Sequence, residues 1–346
     1  MWTGRDGTGS RPPTLDFGIR DLLRLNPPPP GGSHRVALRA GLSVAVPLLA
    51  VVALDRTPWA VYAVFGAFTA LYGRNHVHVP RAVMQGTAGA ALVATVVVGA
   101  VVAASGGGPW ALVGATVLVT VLGSVLSSVL DWHPPGPLFL VFAVGSVAAA
   151  PGTWGDVPVA LAVSTASAAF ALLVGNVGAV VARTPRPPRP SPRRPDVTES
   201  LRHMVAVGVA GAVATAAGIG HPWWAMVAAT APLTVRGRSH QALRAGHRIA
   251  GTLLGLLTSI PLLLLQLDPI PLVLVVVALQ VVTELLVARN YGLALLFITP
   301  MALLMGQLGS DQPATGLALD RVVETGIGVL VAIGLLAVEN RRAHRW

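Results

Sequence analysis

Six basic side chains, Arg236, Arg238, His240, Arg244, His247 and Arg248, crowd one short stretch of the chain. Arg244 and Arg248 are spaced i,i+4, so on a helix they share a face. Guanidinium forks hold carboxylates through paired N–H bonds, so this face suits an organic anion, with Arg248 the deeper group. Lipid phosphates at a membrane edge would suit the same cluster. Trp59, Trp223 and Trp224 offer rings to an aromatic ligand, or an interfacial belt. Glu284 and Glu324 are acids embedded in apolar runs, where an ionisable group is a proton-relay candidate by default. Glu284 has Arg289 and the basic stretch as alternative partners, and Glu324 has Arg321 three positions back at an outer interface. Gly251 and Gly255 form a GxxxG pair that admits a close neighbouring helix, with Thr252 placed to bond across it. His76 and His78 form a weak HxH pair without acids or cysteines nearby, so no metal is expected.

Much chemistry is excluded. The sequence has no Cys, which removes disulfides and thiolate ligands or nucleophiles. It also has no Lys, so all 24 basic residues are Arg; a Walker loop and Schiff-base chemistry are ruled out. No nucleophile elbow, HExxH pair or dinucleotide fingerprint occurs. An enzyme is not expected, nor a cofactor. The basic charge does not indicate nucleic acid, because the arginines are scattered among short segments at one membrane face.

The elements that must hold these residues are membrane helices. The chain is 53% hydrophobic and only 11% charged, with a mean hydropathy of +0.69. A soluble surface needs roughly twice that charge. Apolar segments fall at about 36–54, 58–72, 82–104, 109–130, 136–150 and 157–182, then at about 201–219, 222–235, 242–265, 270–288, 291–308 and 319–338. Segments 58–72, 136–150 and 222–235 are short enough to be re-entrant. With twelve spans and both termini in the cytoplasm, 22 of the 24 arginines face inward, Arg56 and Arg321 being the exceptions. The expected organisation is a flexible cytoplasmic tail (1–33), a first bundle (34–182), a Pro/Arg-rich linker (183–200), a second bundle (201–340) and a basic tail (341–346). The expected location is the plasma membrane, with lipid as the main partner and exposed small-residue faces that leave room for a homodimer.

The halves resemble each other. Pro58-Trp59-Ala60 and Pro222-Trp223-Trp224-Ala225 lie 164 positions apart, and so do Gly73-Arg74 and Gly237-Arg238. Gly86-Thr87 and Gly251-Thr252 follow at an offset of 165. An all-α protein of two tandem, parallel six-helix repeats is predicted, related by an axis along the membrane normal.

Trp223, Arg248, Gly251, Thr252 and Gly255 follow the pattern of a tryptophan opening a short span, then Arg-x-x-Gly-Thr-x-x-Gly. By this the second half resembles the fusaric acid resistance protein-like family of integral membrane transporter domains, related to aromatic acid exporters. The first half keeps Trp59 and Gly86-Thr87 but has Val83 in place of the arginine. The resemblance implies proton-coupled efflux of aromatic or other organic anions. On the residues alone, a passive anion channel and a non-transporting membrane scaffold stand beside that reading.

Overall fold

The computed structural model describes residues 19–27, 33–74, 79–181, 194–235, 237–308 and 314–343. Among them every regular element is helical. After a short helix α1 (Ile19–Leu23) come α2 (Ser33–Ala53), α3 (Ala60–Ala67, flanked by 3-10 turns), α4 (Val79–Ser105), α5 (Gly108–Val129), α6 (Leu138–Ala148) and α7 (Asp156–Val181). The second half runs α8 (Val197–Ala216), α9 (Pro222–Leu233), α10 (Arg238–Leu264), α11 (Pro269–Leu286), α12 (Tyr291–Gln307) and α13 (Ala314–Ala343). Helix starts follow local chemistry. Pro occupies the first turn of α5, α9 and α11, where its missing N–H costs nothing. The Asp196 and Asn290 side chains accept from Glu199 N and Leu293 N, capping α8 and α12.

Seven of these helices are long and apolar enough to cross a membrane, including α2, α4, α5, α7, α10, α11 and α13. Their outer faces display Leu118, Leu122, Leu173, Leu257, Leu264 and Leu330, a distribution that only lipid accommodates. The others are shorter or more polar, so length and hydropathy alone support fewer crossings than the twelve expected. The 12 residues of α9 rise only about 18 Å, against roughly 30 Å of hydrocarbon. Yet every residue from Pro222 to Leu233 is buried, and all of α3 except Val61. The short second and fifth helices of each half are therefore shielded by longer ones.

Helices at matching positions touch in matching ways. In both halves the second helix packs on the sixth, and the fourth on the fifth. Between halves, α5 packs on α8 and α11 on α2. A close approach is required where α10 meets α12: a Cβ on Gly251 would come within 2.6 Å of the Gly292 carbonyl, and one on Gly255 within 2.7 Å of that of Leu295. The bond across this contact comes from Thr258 to the Leu296 carbonyl at 2.9 Å. The Thr252 hydroxyl, expected to bond there, is buried without a hydrogen bond.

Three expected boundaries shift. Helix α8 starts at Val197, inside the predicted linker, and α13 continues through Arg341 and Arg342 of the predicted basic tail. Residues 19–27, within the segment read as a flexible tail, are pinned onto the second bundle. His247 Nε2 contacts the Leu22 carbonyl at 2.9 Å, and Asn290 Nδ2 donates to the carbonyls of Leu22 and Arg24. Asn26 N donates to the Arg289 carbonyl, whose Nε donates back to the Asn26 carbonyl. Residues 1–18 and most of the linker, like Arg236, His76 and His78, lie outside the described residues.

Candidate functional site

The N-terminal ends of α10 and α12 meet at a cavity of about 430 Å³. Arg24, His240, Arg244, His247 and Arg289 line it, with Asn290 and Tyr291. The two arginines spaced one turn apart on α10 converge, as the helical spacing requires, on one ring. The Arg244 guanidinium carbon sits 4.1 Å over Tyr291, and Arg248 Nη1 donates to the Tyr291 hydroxyl at 3.1 Å. Arg248 is only 3% exposed, and its Nε and Nη2 have no hydrogen-bond partner. Arg244 Nε is likewise unbonded.

A second cluster forms where α13 crosses the start of α9. Arg321 was expected as an outward-facing exception to the arginine asymmetry, in an interfacial pair with Glu324; instead both are buried, at 2% and 0% exposure. The Arg321 guanidinium lies 4.4 Å over Trp224, while its Nε and Nη1 are unbonded. Glu324 Oε1 accepts from His221 N at 2.8 Å and leaves Oε2 without a partner. His221 Nδ1 lies 3.0 Å from Asp320 Oδ2. Arg321 is near enough to Arg248 and Tyr291 to interact electrostatically, so the two clusters adjoin.

Trp223 and Trp224 are core residues, not belt residues. Trp223 stacks on Phe142 of the first half (5.6 Å, 23°) and meets Trp224 edge-on. Trp224 also stacks on His221 at 5.1 Å. Both rings are already engaged by protein, so the platform expected for an aromatic ligand is spent on packing. Their indole Nε1 atoms, however, have no hydrogen-bond partner.

Glu284 is elsewhere, at the α2–α11 contact. Its partner is not Arg289 but Arg74 of the first half, whose Nη2 donates to Oε2 at 2.8 Å; Arg39 on α2 adds electrostatic support. A carboxylate in such a bridge holds the halves together. Arg238 donates to Asn340. The structure thus lines the cavity with Arg244 and His247, bonds Arg248 to Tyr291 at its edge, places Trp224 and Glu324 in the adjoining cluster with Trp223 packed on Trp224, and separates Glu284. Sequence reasoning missed Tyr291, His221 and Arg74, and misplaced Arg321. For Arg321 a signal existed: Asp320, Arg321 and Glu324 interrupt an apolar helix at helical spacing.

Comparison with known proteins fits this division. Residues 209–335 match the family model described as Fusaric acid resistance protein-like. No curated protein and no solved structure matches the chain.

Proposed function

Residues 209–335 make the second bundle a member of the fusaric acid resistance protein-like family, and from that premise we propose that this membrane protein transports organic anions. The observation that carries the reading is a row of buried guanidinium groups behind a basic cavity. Arg244 lines the cavity, Arg248 follows one turn deeper, and their free N–H groups await acceptors. Unmet donors in a low-dielectric wall hold a carboxylate strongly, and successive forks let it move on without being trapped. The family description names resistance to an acid, which supports export of aromatic or other organic acids. We place the protein in the plasma membrane with both termini cytoplasmic, so that the cavity opens to the cytoplasm. The exchange of contacts between halves, α5 on α8 and α11 on α2, supports parallel repeats about an axis along the membrane normal.

For proton coupling, Glu324 is the better candidate than Glu284. Glu284 is held in a bridge, while Glu324 keeps an unbonded oxygen beside Arg321, with His221 and Asp320 as its other polar neighbours. Protonating Glu324 removes a negative charge next to the anion path, so transport should rise as pH falls. The test is flux of a labelled aromatic carboxylate in vesicles holding the purified protein. Wild type should exceed empty vesicles, and Glu324→Gln should flatten the pH dependence. Absence of flux sinks the transport reading. Flux whose pH dependence survives in Glu324→Gln removes the coupling role and favours a passive channel.

A further inference from the structure

The cavity accounts for Arg244 and the Tyr291 hydroxyl takes one donor of Arg248, but neither accounts for Arg321. A buried guanidinium normally has a carboxylate or several carbonyls around it. Arg321 has the face of Trp224 at 4.4 Å, and its Nε and Nη1 donate to nothing. Glu324 lies one turn along the same helix, yet the two make no hydrogen bond; the acid takes the backbone N–H of His221 instead. A cation–π contact offsets only part of the cost of burying such a group. Arg321 also lies within electrostatic reach of Arg248, with the Glu324 carboxylate on its own helix as an opposing charge; an anion between the two guanidinium groups relieves their repulsion. The indole N–H groups of Trp223 and Trp224 add two more unpaired donors in the same neighbourhood.

The fold itself does not require this charge. Asp156 and Asp320 stand 164 positions apart near the starts of α7 and α13, the same offset that relates Pro58 to Pro222. At that offset Arg321 corresponds to Val157, Glu324 to Ala160 and Trp224 to Ala60. The crossing is tight in both halves, Gly66 lying against the Ser164 carbonyl and Gly328 against that of Ala225. The first half makes this crossing with apolar residues and the buried Ser164 and Ser167, without an arginine or an acid at these positions.

We propose that Arg321, with the indole N–H groups of Trp223 and Trp224, is a carboxylate-binding station. Its place as the step beyond Arg248 rests on the transport reading, but binding can be measured by itself.

The experiment titrates sodium benzoate into the detergent-purified full chain and follows tryptophan fluorescence, with neutral benzamide and acetate as controls. Benzoate should bind saturably and benzamide should not; acetate reports the carboxylate by itself. Arg321→Gln should weaken benzoate about tenfold or more, the worth of a charge-assisted bond. Arg321→Lys keeps the charge but loses the fork and should fall between. Wild-type affinity in a folded Arg321→Gln protein overturns the proposal, as does failure of wild type to bind benzoate or equal binding of benzamide. Should Arg321→Gln not fold, unchanged affinity in Arg321→Lys overturns it. Vesicle flux separates the two readings. Wild type that binds through Arg321 but moves no benzoate refutes transport alone. Flux that Arg321→Gln leaves intact refutes the station alone.

Discussion

The two bundles share a framework and differ in what they bury. In the first, Asn176 donates to Gln85, Gln85 to the Tyr72 carbonyl, and Trp132 to Thr87; its charged groups include Arg81, which donates to the Gly175 carbonyl, and Arg39, whose Nε and Nη2 are buried without a partner. In the second, the interior holds Arg244, Arg248, Arg321 and Glu324, with several donors and one carboxylate oxygen unbonded. Where α10 carries Arg248, α4 carries Val83, 165 positions earlier. The positions that correspond to Arg248, Arg321 and Glu324 are therefore uncharged in the first half, where Val83, Val157 and Ala160 stand. Charge in the other half is not needed for packing, and in stability terms it is a burden. On the proposed reading the first bundle is scaffold and the second carries the site.

That contrast can be broken by substitution. The largest effect should come from Arg248→Ala, which should lower anion flux about 100-fold, about 2.7 kcal/mol of carboxylate binding, while Val83→Ala leaves flux unchanged; vesicle assays decide. Next, Gly251→Ala should destabilise by about 2 kcal/mol, because the new methyl group meets the Gly292 carbonyl. Its counterpart Gly86→Ala meets only Leu172 at 3.9 Å and should stay within about 0.5 kcal/mol, as read from melting temperatures. Glu284→Gln should cost about 1–1.5 kcal/mol by cutting the bridge to Arg74, discounted for the partial exposure of the arginine, without flattening the pH dependence of flux. The smallest effect should be Arg56→Gln, which loses an exposed contact with Trp59 and should change stability by less than about 0.5 kcal/mol.

Much of this was legible in the sequence because lipid constrains composition and spacing so tightly. Apolar runs separated by Arg, Pro and Gly located the long helices, and the i,i+4 spacing of Arg244 and Arg248 placed them on one face. What escaped depends on contacts between distant segments. Glu284 finds Arg74 from the other half, 210 positions away, and no local rule links them. Arg321 was misassigned because inward-facing arginines were counted by loop position, and a guanidinium on a long stem near a helix end can turn either way. Trp223 and Trp224 look like belt residues at a span start, but α6, α8 and α13 pack around α9 and bury its first turn.

The pinned residues 22–26 have a consequence for how the chain is made. Their partners His247, Arg289 and Asn290 lie 225 to 268 positions later, so during synthesis this segment waits until those helices are made before it can dock. The mouth of the cavity is consequently among the last features to close, and any fusion placed ahead of residue 19 would be drawn up beside it as it does.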